Sequence, residues 1–274
     1  MRVRLPILSV CVCLGLALVP WTPPVSAAEV LRVGGTGAAT ALLQHVGAAF
    51  TRRTGIGIEV VPSLGSSGGI NAAADRVLDL AVSGRPLTPA EQARGLVSVA
   101  TLRTPFVFAT GHPAPPGLTG RDIVAAYAAE RPNWPDGSPL NPVLRPRSDS
   151  DSSLLAALFP GMDAALAAAR KRPELPVAGT DQDNADMAER LPGSFTAATY
   201  TQIAMERRDL RMVPIDGTTP SLVAFEGGTY PYGKVLHVVR SRDADPAAER
   251  FVRFLRGDEG VRALREAGCL PGAE

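Results

Sequence analysis

This chain has few cysteines, few lysines and a net charge close to zero. Three of its 274 residues are cysteines, and two of these, Cys11 and Cys13, lie among the first 27 residues. If those 27 residues are removed, Cys269 stands alone, which excludes an intrachain disulfide and a cysteine metal cluster. The formal net charge is +1, and the loss of Arg2 and Arg4 would change it to 26 minus 27, or −1. This balance gives no electrostatic case for binding nucleic acid or an anionic membrane.

The first 27 residues have the pattern of a secretory signal peptide. A basic start precedes the apolar run of residues 5–19, and a proline-rich stretch leads to the small residues Ser26 and Ala27. The run is shorter than the roughly 20 residues that a membrane-spanning helix needs, and no later segment is long and apolar enough. We therefore predict cleavage after Ala27 and a periplasmic protein. A retained membrane anchor is the alternative.

Short β-like runs alternate with helical ones over most of the remaining chain, and this alternation predicts an α/β fold. A strand at 31–33 precedes apolar residues at helical spacing, which continue until Gly55, and a β-branched run follows at 56–61. Thr88-Pro89-Ala90-Glu91 predicts a helix start with a capping box. We predict separate strands at 97–101 and 106–110, before a Pro/Gly-rich segment. Further along the chain we predict a strand at Val177-Ala178 and a helix near Asn184 to Leu191.

Three loops rich in glycine, serine and threonine each lie between a predicted strand and a predicted helix. They are Gly34–Gly37, Gly65–Gly69 and Ser148–Ser153, and Arg145 and Arg147 lie beside the third. The N-terminus of a helix carries unpaired N–H groups and partial positive charge, while hydroxyls add uncharged donors. A single loop of this kind is explained by ordinary helix capping. Three in one chain indicate an anion site, because ligands of open α/β sheets bind outside the carboxyl ends of strands.

The ordered motifs GGTG, GSSGG, VSGRPL, NWPDG, LRPRSDSDSS and GTYPYGK make residues 30–271 resemble the phosphate-binding proteins of bacterial ABC transporters. The resemblance implies a two-lobed periplasmic binding protein of type II fold, each lobe a mixed sheet flanked by helices, with two hinge crossings. The expected limits are 28–107 plus 222–274 for the first lobe and 108–221 for the second. It also implies an ABC permease in the inner membrane as a partner. We expect a monomer with no metal, nucleotide or redox cofactor.

By the motifs of that family, donors from all three loops would bind the anion. The second-lobe arginine falls at Arg145 or Arg147, and the sequence does not fix which. The predicted ligand-binding residues are Thr36, Gly37, Ser66, Ser67, Gly68, Ser83, Arg85, Arg145, Arg147, Ser148, Ser150 and Ser152.

One position departs from the family. Many relatives carry an aspartate directly after the serine that matches Ser83, where it accepts a proton from the bound anion, but this chain has Gly84. An acceptor-only carboxylate favours protonated phosphate over sulfate. Asp149 or Asp151 could replace it, and Arg85 could supply charge. Inorganic phosphate is the leading ligand, with sulfate, molybdate, tungstate and phosphonate as alternatives.

Two other functions fit parts of the sequence. Gly65–Gly69 also matches G-x-S-x-G, so a serine hydrolase with Ser67 as nucleophile is a rival. It would need a downstream histidine; His112 lies in a Pro/Gly-rich loop and His237 in an apolar strand. The second rival is a sensory module that uses the same fold, since fold alone does not fix function. We predict a binding protein and not an enzyme.

Overall fold

A computed structural model describes residues 29–243 and 245–272. The predicted signal peptide therefore lies outside the described residues. The helices are α1 (Thr40–Thr54), α2 (Gly65–Ala74), α3 (Pro89–Ala93), α4 (Gly120–Ala128), α5 (Ser150–Leu158), α6 (Met162–Ala169), α7 (Asp181–Arg190), α8 (Tyr200–Met205), α9 (Leu222–Glu226), α10 (Pro246–Arg256) and α11 (Asp258–Glu266). The strands are β1 (Val30–Gly35), β2 (Gly57–Val61), β3 (Leu80–Ser83), β4 (Leu96–Thr110), β5 (Asn141–Pro142), β6 (Ser194–Thr199), β7 (Arg211–Met212), β8 (Gly233–Ser241) and β9 (Leu270–Pro271).

The strands form one mixed sheet in the order β2-β1-β3-β8-β4-β6-β5, with β7 and β9 also paired to β4. In the first lobe β1 is parallel to β2 and β3, whereas β8 is antiparallel to β3 and β4. Helix α1 buries Leu42, Val46 and Phe50, the spacing of one helical face, and ends at Gly55 in the left-handed region (φ 77°). These elements confirm the α/β prediction.

Strand β4 belongs to both lobes. The sequence predicted two strands here, and this was wrong, because residues 96–110 form one continuous strand. Its first part, up to Pro105, pairs with β8, and its second part, from Phe106, pairs with β6. Pro105 has no N–H to donate. The chain therefore passes from one lobe to the other within a strand, at the point where the pairing partner changes.

The core of the second lobe is aromatic. The rings of Phe108 and Phe195 stack with centroids 4.6 Å apart, and Trp134 meets Phe195 edge-on at 5.6 Å. Phe195 lies in β6, a strand that the sequence pattern did not predict. The strand predicted at Val177–Ala178 is a single β-bridge between Leu144 and Val177.

The apolar core has separate clusters on the two sides of this crossing. One contains buried residues from Phe106 to Tyr230, and two others contain buried residues up to Leu102 or from Leu236 onwards. Helix α9 packs against the first of these through Phe225. The predicted lobe limits stay a prediction. Because α9 packs against the second-lobe cluster, a return of the chain to the first lobe close to Gly233 is favoured over a return at residue 222.

Neither a membrane-crossing helix nor a metal cluster was found in the described part of the chain. Its helices are too short or too polar to span a bilayer. Its His, Cys, Asp and Glu side chains form no group of three or more that could hold a metal ion.

Candidate functional site

A cavity of about 170 Å³ lies where loops of the two lobes meet. The first lobe supplies hydroxyls, glycines and one arginine, and the second supplies hydroxyls and carboxylates. The lining residues are Thr36, Leu64, Gly65, Ser66, Ser67, Gly68, Arg85, Pro146, Ser148, Asp149, Ser150, Gly179 and Asp181.

The start of α2 supplies the first-lobe side of the cavity. The helix begins at Gly65, whose φ of 71° is easy only for glycine, so the chain turns sharply from the preceding loop into the helix. The N–H groups of the first turn have no partner within the helix. Ser66 Oγ accepts a hydrogen bond from the Gly84 N–H (2.9 Å), and Ser67 Oγ accepts one from Arg85 Nη2 (3.0 Å). Both hydroxyls keep a hydrogen to donate.

Arg85 is the cation that lines the cavity, and it is already paired. Its guanidinium binds Glu91 through two hydrogen bonds, of 2.9 and 2.7 Å. This hydrogen bonding lowers the pKa of Glu91 to about 2. Glu91 also caps α3 by accepting from the Thr88 N–H, so the predicted capping box is confirmed. Arg85 therefore brings little net positive charge to the site.

Arg145 is buried behind the second-lobe loop. Its side chain is 5% exposed, and Nη2 lies 2.7 Å from Asp149 Oδ2 and 3.6 Å from Asp181 Oδ1. Burial opposes the charge of Arg145, but the two carboxylates raise its pKa above the ordinary value. Its Nε has no hydrogen-bond partner among the described residues. Arg147 is exposed, so Arg145 is the better candidate of the two predicted arginines.

The start of α5 supplies the second-lobe side. Asp149 caps the helix by accepting from the Asp151 N–H at 2.8 Å, and Ser150 is the first helical residue. The hydroxyl and carboxylate of the predicted serine-rich loop thus face the cavity together. The second lobe presents negative charge here, and its buried arginine lies behind that charge.

Asp181 was not predicted as a site residue. It is the first residue of α7, and its Oδ2 accepts from the Ala38 N–H at 3.0 Å and from Thr36 Oγ1 at 3.3 Å. A sequence signal for the start of this helix was available, because Thr180 and Asp183, three residues apart, form a capping box. We predicted this helix to begin at Asn184, one turn too late.

A second unpredicted feature is the buried ion pair between Lys234 of β8 and Asp151 of α5. Both side chains are 1% exposed. Burial raises the pKa of Asp151 to about 6, against the effect of Lys234, and Asp151 raises the pKa of Lys234 against the effect of burial. A Cβ at Gly84 would lie 2.8 Å from Lys234 Cε and 2.6 Å from Ser150 Oγ. The space of a side chain at position 84 is therefore occupied by groups from β8 and α5.

The structure brings seven of the twelve predicted residues to the cavity wall, namely Thr36, Ser66, Ser67, Gly68, Arg85, Ser148 and Ser150. The other five lie outside its lining, namely Gly37, Ser83, Arg145, Arg147 and Ser152. Ser83 is buried and donates to the Arg85 carbonyl (2.7 Å), and Ser152 donates to the Pro146 carbonyl (2.9 Å). The hydroxyls of these two serines therefore hold loops in place. A ligand-binding role for all twelve stays a prediction.

The surroundings of Ser67 lack the parts of a catalytic triad. Its hydroxyl contacts Arg85, and the described cavity lining contains no histidine. His112 bonds to Asp136 in the second lobe, and His237 lies opposite Ser83 in the β3–β8 pairing. A serine nucleophile needs a general base within hydrogen-bond reach.

Comparisons with known proteins agree with this architecture. A family model described as the PBP superfamily domain matches residues 22–259. A search of curated proteins found no match. One similar solved structure is from Clostridium perfringens and is described as a phosphate ABC transporter substrate-binding protein with bound phosphate; the TM-score is 0.75 at 15% identity, covering 89% of this chain and 100% of that one.

Two further structures show how widely the fold is used. The periplasmic phosphate-binding protein PfluDING has a TM-score of 0.69 at 13% identity, over 89% of this chain and 90% of its own. The periplasmic molybdate-binding protein of Azotobacter vinelandii has a TM-score of 0.58 at 14% identity, over 89% and 100%. At such identities the likeness concerns the fold alone. The chain belongs to the PBP superfamily, and its fold is that of the type 2 periplasmic binding proteins.

Proposed function

We propose that this protein is a periplasmic solute-binding protein, not an enzyme, that holds a small oxyanion between its lobes for uptake by an ABC transporter. Inorganic phosphate is the first candidate ligand. An N-terminal signal peptide would export the chain, which would act as a monomer. An inner-membrane permease would receive the ligand.

One observation carries this proposal: the donor-rich starts of α2 and α5 face the same cavity from different lobes. Ser66, Ser67 and Ser150 supply hydroxyls there, and both helix starts supply N–H groups. The cavity volume of about 170 Å³ is below the roughly 300–1,000 Å³ of pockets for drug-sized ligands. A small ligand that needs many donors fits this site best.

The charges that line the cavity favour a protonated anion. Asp149 presents a carboxylate, and Arg85 is neutralised by Glu91. A carboxylate only accepts hydrogen bonds, so it interacts well with hydrogenphosphate and repels sulfate, which has no proton to donate. Asp149 is the better candidate than Asp151 for the carboxylate that accepts a proton from the anion, because Asp151 is buried against Lys234.

A thermal-shift panel on the mature chain tests the ligand class. We expect phosphate to raise the melting temperature, because a ligand that binds only the native state stabilises it by mass action. Sulfate, molybdate, tungstate and a phosphonate form the rest of the panel, with chloride at matched ionic strength as the control. No shift with any oxyanion would contradict the proposal, and a larger shift with molybdate or tungstate would change the assigned ligand.

Two serine variants test whether phosphate binds in this cavity and not elsewhere on the surface. Ser67→Ala should weaken phosphate binding in titration calorimetry by about threefold to tenfold, as expected when one neutral hydrogen bond is lost. Ser98→Ala is the matched control, because Ser98 is an exposed serine on β4 that does not line this cavity. An esterase activity that disappears in Ser67→Ala would instead support a hydrolase.

The use of the bound anion needs a separate test. Transport requires that a reconstituted permease takes up labelled phosphate only when the loaded protein is added. Genes for a permease and an ATPase beside this gene would support transport, whereas a histidine kinase gene there would favour a sensory module.

A further inference from the structure

The carboxylate of Asp181 accepts hydrogen bonds from two donors, and lies near a guanidinium, that an oxyanion would also use. Its Oδ2 accepts from a hydroxyl, Thr36 Oγ1 (3.3 Å), and from the backbone N–H of Ala38, in the short 3-10 turn that precedes α1 (3.0 Å). Its Oδ1 lies 3.6 Å from the guanidinium of Arg145. Asp181 is 6% exposed, and Thr36 is 4% exposed. A carboxylate oxygen and an oxyanion oxygen accept the same hydrogen bonds from these groups.

Asp181 also joins the two lobes. It lies in the second lobe, whereas Thr36 and Ala38 lie in the first. Its neighbour Gln182 strengthens the contact, because Nε2 donates to the Gly37 carbonyl at 3.0 Å and Oε1 accepts from Ser63 Oγ at 2.7 Å. Gly37 permits this approach, since a Cβ there would lie 2.8 Å from Asp181 Oδ2 and 2.4 Å from Gln182 Oε1. The start of α7 is thus fitted against the first loop of the other lobe.

We propose that Asp181 is an internal carboxylate ligand that competes with the bound oxyanion for Thr36, Ala38 and Arg145. The inference rests on the proposed function and adds the residue that sets the affinity. An anion binds only when Asp181 gives up these donors, so the apparent affinity is the intrinsic affinity reduced by the fraction of molecules in which they are available. The same contact holds the lobes together without a bound anion.

Two consequences distinguish Asp181 from an ordinary structural residue. First, removing its charge should strengthen anion binding, whereas loss of a merely structural contact would weaken it or leave it unchanged. Second, the gain should be of the same size for sulfate as for phosphate, because Asp181 reduces the fraction of molecules with available donors by the same factor for every anion.

Asp181→Asn and Asp183→Asn form a matched pair for the test. Asp183 is exposed on the same first turn of α7, and among the described residues it hydrogen-bonds to Thr180, with which it forms the capping box. We expect titration calorimetry to give a Kd for phosphate at least about tenfold lower in Asp181→Asn than in the wild type. The Kd of Asp183→Asn should equal that of the wild type. Asp181→Ala, which removes the acceptor altogether, should behave like Asp181→Asn.

Small-angle scattering without added anion gives a readout that does not depend on binding. We expect a larger radius of gyration for Asp181→Asn than for the wild type, and phosphate should reduce it. A wild type that binds phosphate, together with unchanged or weaker binding in both Asp181 variants, would overturn the inference and leave the proposed function intact. If the wild type and both variants bind no oxyanion, the proposed function fails. An identical radius of gyration would show that Asp181 does not hold the lobes together.

Discussion

Gly84 shows how a single residue can separate this chain from its relatives. Many proteins of the family that this chain resembles carry an aspartate at this position, whereas this chain has glycine. The structure places Lys234 and Ser150 where the side chain would lie. The sequence could show that the carboxylate was missing, but not what had replaced it, because Lys234 is 150 residues away in the chain and reaches the position only through the β3–β8 pairing.

Gly84→Ala tests this packing. We expect the free energy of unfolding to fall by about 1–3 kcal/mol, the usual cost of inserting a methyl group into a filled site. Chemical denaturation measures the change. Gly68→Ala is the control, because a Cβ there has only an ordinary contact of 3.5 Å with Leu64. Equal stability of Gly84→Ala and the wild type would show that Lys234 and Ser150 do not fill this space.

The Arg85–Glu91 pair predicts a specific pH dependence. The folded protein lowers the pKa of Glu91 from 4.5 to about 2, so the pair stabilises the fold above pH 4.5, and this stabilisation is lost as the pH falls towards 2. Glu91→Gln should therefore be less stable than the wild type at pH 6, by up to about 1 kcal/mol, since the pair is partly solvated. The difference should shrink at pH 3. Urea unfolding at the two pH values measures it, and a difference that does not depend on pH would contradict the assignment.

At the scale of elements, local patterns predicted most of the first lobe. The apolar spacing of α1, the β-branched run of β2 and the capping box of α3 depend on neighbours in sequence, so they could be identified from the chain alone. The errors have physical causes. Strand β4 was predicted as two strands because the exposure of its residues changes where it passes between the lobes. Strand β6 (SFTAAT) was not predicted because it is rich in alanine and threonine yet wholly buried. The start of helix α7 was predicted too late in the chain because the first turn of this helix is polar.

The Lys234–Asp151 pair connects β8 to α5 and can be tested by its removal. Lys234→Met leaves Asp151 buried without its partner, and we expect a loss of about 3–5 kcal/mol in the free energy of unfolding. The double variant Lys234→Met/Asp151→Leu should recover most of this loss, because replacing both ions avoids an unpaired buried charge. Lys171→Met is the control, since Lys171 is exposed and is the only other lysine in the sequence. A double variant no more stable than the single one would contradict this account.

At the scale of the whole molecule, the two-lobed fold could be predicted because the order of the motifs is preserved along the chain. The wall of the cavity could be predicted in part. Loops with helix-start chemistry were visible in sequence, and seven of the twelve predicted residues line it. The contacts of Asp181 with the first lobe could not be predicted, because they depend on how the lobes face each other. The burial of Arg145 could not be predicted either, because one of its two carboxylate partners, Asp181, is distant in the chain. Contacts between lobes join residues far apart in sequence, such as Thr36 and Asp181, and no local pattern records them.

A crystal structure of the mature protein grown with phosphate tests the central claim most directly. The account predicts one tetrahedral anion in the cavity, within hydrogen-bond distance of both Ser67 and Ser150, so that each lobe contributes donors. An anion bound by one lobe alone, an anion elsewhere on the surface, or no bound anion at saturating phosphate would contradict it.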